Sequence, residues 1–236
     1  IGFVLVFVGL AFKLSLAPFH MWAPDVYEGA PTISAMFIAT ASKVAAFAFL
    51  IHLVEAMSFW KHFPSASGFV IGSVAVISML WGNLGALVQT NITRLLAYSS
   101  IAHGGYMAVG VATLVSRPVF ADAFRTAEVR NAIILYLFVY TVMNIVAFGI
   151  VAYLGREGEG EIRNWRGLSQ RRPGLAAAMA VTMISLTGVP LTAGFAGKFY
   201  IFKEAIAGGL VPVAVVAMIA SAISAFYYLR VVVAMY

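Results

Sequence analysis

Three lysines and one histidine stand where a titratable side chain is expensive to keep. Lys13, Lys43 and Lys198 each interrupt a long apolar run, and His103 lies about 11 residues into another that opens near Ile92. A lysine at the centre of a bilayer costs about 2.5–3.5 kcal/mol on insertion scales, so intramembrane charge reads as functional by default. An ammonium that is costly to hold charged can give up its proton, and imidazole is the side chain that titrates nearest neutrality. The chemistry these types and positions support is proton movement, with Ser99, Ser100 and Tyr106 near His103 able to hold relay waters. The other reading of each lysine is permanent pairing with a carboxylate or with backbone carbonyls, serving only as a helix-packing contact, and of His103 a satisfied packing residue. No acidic partner is evident for Lys13 or Lys43: Asp25, Glu28 and Glu55 fall at loop or span-end positions, and Glu204 follows Lys203.

Other chemistries lack their residues. The chain has no cysteine, which removes disulfides, thiolate metal sites, iron–sulfur ligation and cysteine nucleophiles. None of the histidines His20, His52, His62 and His103 stands at a helical i, i+4 offset with a carboxylate, so no metal site is expected. His20, between Pro18 and Trp22, reads as a hydrogen-bonded structural residue, and His52 and His62 as bland. No phosphate-cradling loop, Ser-His-Asp order or dinucleotide fingerprint appears in its required context. The formal charge of +6 and pI near 9.7 do not point to nucleic acid, because the basic residues gather at span ends.

The scaffold around these groups is dictated by composition. Of 236 residues 62% are apolar or aromatic and only 10% charged, with a mean hydropathy of +0.96. Globular chains average about 45–50% apolar and about 25% charged, so this chain belongs in a lipid bilayer. Lipid admits only helices and closed barrels, and the unbroken apolar runs lack the alternation of barrel strands. An all-α polytopic membrane protein with about seven spans is expected: near 2 to 22, 32 to 57, 67 to 89, 92 to 115, 131 to 154, 174 to 209 with interruptions, and 211 to 235.

Two of those spans are expected to be discontinuous. From Pro173 to Gly209 a straight helix would run about 55 Å against a bilayer core of about 30 Å, and Gly188-Val189-Pro190, Gly194 and Gly197 mark the interruption. Pro18 interrupts the first span after Lys13, and Pro24 and Pro31 punctuate the stretch beyond it. Interrupted segments at corresponding places in two halves are the mark of an internal repeat with its ion site at the breaks. Trp22, Trp60 and Trp165 fit interfacial belts, Thr90 or Asn91 caps the helix from Ile92, and Gly104-Gly105 allows close helix approach.

The stretch 155 to 172 carries Arg156, Arg163, Arg166, Arg171 and Arg172 and is expected on the cytoplasmic side, since Lys and Arg counts set orientation whatever Glu157, Glu159 and Glu161 add. Alternation then puts 23 to 31 and the turn at Arg94 inside, with 58 to 66, 116 to 130 and 206 to 212 outside. An apolar start at Ile1 and a stop at Tyr236 on an unfinished helix suggest a fragment.

FKLSLAPFHMWAPDVYEGAP, the following ATASK, NLGALVQTNITRLLAYSSIAHGGYM and SLTGVPLTAGFAGKFYIF together resemble the subunit N family of proton-translocating NADH:quinone oxidoreductase, respiratory complex I. The resemblance covers essentially the whole chain. It implies a 14-helix antiporter-like fold with inverted five-helix repeats, of which residues 1–236 would be the C-terminal half. Lys13 then matches the lysine of the first broken helix, paired in the family with a glutamate on an earlier helix. Lys43 matches the central linking lysine, Lys198 the lysine of the second break, and His103 a polar position on the hydrophilic axis. The resemblance further implies no cofactor in this chain. NADH, FMN, iron–sulfur clusters and quinone are expected in other subunits, neighbouring antiporter-like membrane-arm subunits as partners, and a bacterial plasma membrane as location. An Mrp-type Na+/H+ antiporter subunit without redox chemistry is the competing expectation, and a non-pumping scaffold the third.

Overall fold

The computed structural model describes residues 2–58, 66–116, 122–155 and 160–236. Trp60, His62, Arg117, Arg156, Glu157 and Glu159 lie outside the described residues. Every regular element among the described residues is helical: α1 Gly2–Lys13, α2 Trp22–Gly29, α3 Thr32–Phe37, α4 Lys43–Ser58, α5 Ala66–Leu87, α6 Ile92–Ser116, α7 Ala123–Leu154, α8 Leu168–Arg171, α9 Pro173–Thr187, α10 Ala193–Ala207 and α11 Val211–Met235.

The helix α6 is the axis. From Ile92 to Leu114 nearly every residue is buried, although its sequence is among the most polar of the long helices. It packs chiefly along α5 and is flanked by α7, α2, α10 and α4. Small residues set that spacing: a Cβ at Gly82 of α5 would lie 2.5 Å from Ala102 N, and one at Gly105 of α6 would lie 2.8 Å from Ala75 O. The surrounding shell is apolar outward as well as inward, with Leu5, Phe69, Phe138, Ile219 and Val233 exposed. An apolar exterior around a polar axis inverts the usual soluble arrangement and suits lipid. The helices Thr32–Met57, Ser67–Leu87, Ala123–Leu154 and Val211–Met235 are long and apolar enough to cross a membrane.

Both expected breaks are present, with altered boundaries. The first span stops at Lys13, and the chain then runs irregularly to Met21 before α2 begins. The stretch 23 to 31, expected as a loop, is therefore largely the helix Trp22–Gly29. Pro24 sits in its first turn, where a missing N–H costs nothing, so proline opened this helix instead of preventing it. The second span ends at Thr187 and resumes at Ala193. Helix α7 begins at Ala123, inside the stretch expected as an outer loop, because the Asp122 carboxylate accepts the Arg125 N–H at 3.1 Å and caps it. Arg130 meets Glu55 at 3.1 Å on the same early turns.

Two details go beyond the sequence patterns. A π-helical turn, Ile38–Ser42, joins α3 to α4 immediately before Lys43; such turns recur at functional sites. Trp165, expected in an interfacial belt, is wholly buried among Ile162, Leu168 and Met235. A 3₁₀ turn, Ile162–Trp165, folds it inward, and the ladder pairing of Glu161 with Asn91 holds that turn against the start of α6.

Candidate functional site

Lys198 owes its setting to the way α9 ends. Gly188 takes a left-handed conformation, φ 88°, and its N–H reaches back to Ile184 O and Ser185 O. The carbonyls of Leu186 and Thr187 are left over, and Lys198 Nζ from α10 donates to both at 2.9 Å and to Ser221 Oγ of α11 at 2.9 Å. The ammonium thus caps the negative end of the α9 dipole. Its Nζ also lies 4.9 Å from the centre of the Tyr106 ring. Thr192 and Ser185 receive the first N–H groups of α10, from Phe195 at 3.3 Å and Gly194 at 3.1 Å.

Lys43, 1% exposed, follows the π-helical turn and donates to Ser100 O of α6 at 2.5 Å. Gly104 makes room: a Cβ there would stand 3.5 Å from both Lys43 Nζ and Leu14 O, so this bare patch of α6 meets the lysine and the first break together. The Ser100 hydroxyl lies 2.8 Å from that of Tyr140 and 3.4 Å from that of Tyr27.

His103, 1% exposed, lies within electrostatic reach of both lysines. Its Nδ1 is 2.6 Å from Tyr136 OH and its Nε2 3.0 Å from Tyr228 OH. The Tyr228 hydroxyl also bonds Ser99 Oγ, and its ring lies 4.4 Å from that of Tyr227. Tyr227 donates to Asn83 Oδ1 at 3.0 Å and Asn83 Nδ2 donates to Tyr106 OH at 3.1 Å, whose ring faces the Lys198 ammonium. A buried polar line therefore runs from His103 to Lys198, its hydrogen-bonded segments joined by the packed Tyr227 and Tyr228 rings and by the Tyr106 ring under the ammonium. The Lys43 end, with Ser100 and Tyr140, touches it through the Tyr140 and His103 rings, 5.3 Å apart.

Neither buried lysine has a carboxylate partner among the described residues. Asp25 and Glu28 are taken by Arg94, at 2.8 and 2.7 Å, Glu55 by Arg130, and Glu204 lies 3.4 Å from Lys203. An ammonium held only by neutral oxygens keeps the option of losing its proton, which a buried ion pair would forfeit.

The structure brings Lys43, His103 and Lys198 together and leaves Lys13 apart. Lys13 closes α1 with its side chain exposed and has no hydrogen bond or ion pair among the described residues. His20 is buried against Trp81, ring centres 5.5 Å apart, with Nδ1 unpartnered. Tyr27, Tyr136, Tyr140, Tyr227, Tyr228 and Asn83 were missed by sequence reasoning, though Tyr136, Tyr140 and Asn144 form an i, i+4, i+8 polar stripe within the apolar stretch of α7.

Comparison with known proteins covers nearly the whole chain. Residues 1–224 match the family described as NADH:quinone oxidoreductase/Mrp antiporter, transmembrane. The NADH-quinone oxidoreductase subunit N of Geotalea uraniireducens is 46% identical over 241 residues, covering 100% of this chain and 47% of that protein. A chain of respiratory complex I from Thermus thermophilus superposes with a TM-score of 0.78 at 37% identity, over 97% of this chain and 47% of the other. A chain of the Mrp complex from Dietzia superposes at 0.82 with 22% identity over 96% of this chain and 40% of the other, a likeness of fold alone. The chain spans about half the length of the curated relatives it matches.

Proposed function

This chain belongs to the family of NADH:quinone oxidoreductase and Mrp antiporter membrane subunits, and from that membership we propose that it is the C-terminal half of a complex I subunit N that moves protons across a bacterial plasma membrane. NADH oxidation and quinone reduction, with their FMN and iron–sulfur centres, belong in this reading to other subunits. Its partners are the neighbouring antiporter-like subunits of the membrane arm.

The observation that carries the reading is the triad of Lys43, His103 and Lys198, buried on one axis without a carboxylate among the described residues. Like charges on the three repel one another strongly in a low-dielectric interior, so a change of protonation at one biases the next and the group titrates as a unit. Lys13 begins the sequence of sites beside the first break, and Lys198 ends it at the second. Lys198 is stabilised when charged by the α9 carbonyls and can be relieved of its proton without stranding a buried anion. The Mrp-type sodium antiporter reading shares the fold, at 22% identity to the Mrp chain from Dietzia against 46% to the subunit N of Geotalea uraniireducens.

The test is substitution in the assembled enzyme. Lys43→Ala and Lys198→Ala are each expected to lower proton translocation and the coupled quinone reduction by tenfold or more, about 1.4 kcal/mol or more in barrier height. Unchanged proton-to-electron stoichiometry in an assembled variant would end the proposal. Sodium-dependent transport without copurifying NADH:quinone activity would transfer the chain to the antiporter reading.

A further inference from the structure

Two arginines of the stretch 155 to 172, which the sequence offers only as markers of orientation, help to build a cavity at one end of the bundle. Residues 160–162 lie along the turn that opens α6, with Ile92 N–H donating to Gly160 O and Ile162 N–H to Thr90 O, both at 2.9 Å. The 3₁₀ turn that follows is anchored by the wholly buried Trp165, and Arg166 N–H closes it on Arg163 O at 3.4 Å. Side chains three apart on such a turn lie over one another, so Arg163 and Arg166 leave it on the same side. The third arginine is Arg230, the sole charged residue of α11. It donates to Leu87 O at 2.9 Å and to Gln89 O, holding the end of α5.

These elements surround an open cavity of about 460 Å³, lined by Arg163, Arg166 and Arg230 with Gln89, Glu161 and Ala234. Among the described residues the side chains of Arg163 and Arg166 have no hydrogen-bond or ion-pair partner, and Arg230 Nε is buried without one. Three permanent cations thus share the cavity with one carboxylate, that of Glu161. Arg230 lies five residues before the end of α11, about 8 Å along its axis, at the depth where a spanning helix passes from lipid tails to headgroups. Toward the middle of the bilayer the same face of α11 exposes Leu229, Phe226 and Ile219 at helical spacing. A water-soluble anion would leave that apolar strip bare, whereas a lipid covers it.

We propose that this cavity holds the headgroup of one anionic phospholipid, its phosphate on Arg163 and Arg166 beside Arg230 and an acyl chain along Leu229, Phe226 and Ile219. A guanidinium presents paired N–H donors that match phosphate oxygens, and basic pockets between membrane helices take anionic headgroups in this way. A zwitterionic lipid brings the same phosphate with a cation attached, which the three arginines repel, so the site selects for net negative charge. Glu161 opposes the phosphate and weakens its hold. The bound lipid ties the turn at 162–166, and through it the start of α6, to α11 and the end of α5. The proposal depends on the integral membrane location and not on the proton relay, so failure of either leaves the other standing.

The test is photolabelling of the full-length chain in its assembled enzyme, held in phosphatidylcholine nanodiscs with increasing phosphatidylglycerol, a trace of which carries a photoreactive acyl chain. Labelled peptides are identified by mass spectrometry. Label is expected on α11 between Ile219 and Arg230, saturating as phosphatidylglycerol rises, while a photoreactive phosphatidylcholine is expected to label the same peptides far less. Arg163→Gln and Arg166→Gln are each expected to raise the half-saturating fraction of phosphatidylglycerol about fivefold, the worth of one basic residue near a membrane surface. Both side chains are exposed, so neither change is expected to disturb folding. Glu161→Gln is expected to move half-saturation the opposite way. Equal labelling by the two lipids, or half-saturation unmoved in the arginine variants, overturns the proposal. So does displacement of the label by inorganic phosphate at matched ionic strength, which would make this a site for the free anion. Absence of label from α11 overturns it as well, by giving the cavity in the working enzyme to a neighbouring subunit.

Discussion

The two broken elements are alike in sequence and unlike in construction. In the first, the lysine is the last residue of its helix and points outward, while the eight-residue link after it is secured elsewhere, by Ala17 N–H donating to Ser78 Oγ of α5 at 2.9 Å. In the second, the lysine lies past the break and folds back onto the helix it left, closing the α9 carbonyls with its own ammonium. A break in a membrane helix frees backbone groups that must be satisfied inside the protein. The first break is satisfied by a neighbouring helix and the second by the charged group itself. Only in the second does changing the charge of the lysine also change how the break is held, which couples protonation to the geometry of α9 and α10.

That contrast predicts unequal sensitivity. Gly194→Ala should be the most damaging change away from the lysines, because its Cβ would stand 1.8 Å from Ser185 O, where the chain cannot yield without moving the start of α10 and with it Lys198. A loss of about 3 kcal/mol is expected, at the upper end for overpacking, together with loss of proton translocation. The midpoint of thermal unfolding in mild detergent and transport in reconstituted vesicles would show it. Ser78→Ala should be milder, since it strands one buried N–H at Ala17 at a cost of about 1–2 kcal/mol. A larger unfolding shift for Ser78→Ala than for Gly194→Ala would break the comparison, by making the first break the tighter of the two.

The sequence announces both interruptions because proline and glycine act locally: Gly188 must be left-handed where α9 stops, and that requirement is written in one residue. It announces Lys43, His103 and Lys198 because charge in an apolar run is conspicuous. Apart from Tyr106 it is silent on the tyrosines, whose apolar rings pass as ordinary lipid-facing aromatics until partners distant in sequence turn their hydroxyls inward; Tyr228 meets His103 across 125 positions. It is equally silent on the inequality of Lys13 and Lys198, since which lysine faces a helix end depends on how the chain turns back. The helix Trp22–Gly29 was hidden for the opposite reason, its proline counting as a breaker when it stands at a permitted first turn.

Gly29→Ala should have the smallest effect, and it sharpens the comparison most finely. A Cβ at Gly29 meets nothing within 4 Å, the residue closes α2 without a positive φ, and it is exposed. Alanine is the better helix former, so the change should leave stability within about 0.5 kcal/mol of the original. Gly29 nonetheless lies in the DVYEGAP stretch beside Asp25 and Glu28, which hold Arg94 at the foot of α6. If the substituted full-length chain unfolds as before but assembles or pumps poorly, the need for a bare backbone at Gly29 comes from a surface that docks against α2 from outside this chain. If it neither unfolds nor pumps differently, the clamp between α2 and α6 is complete without help, and the first break is held entirely by contacts already present.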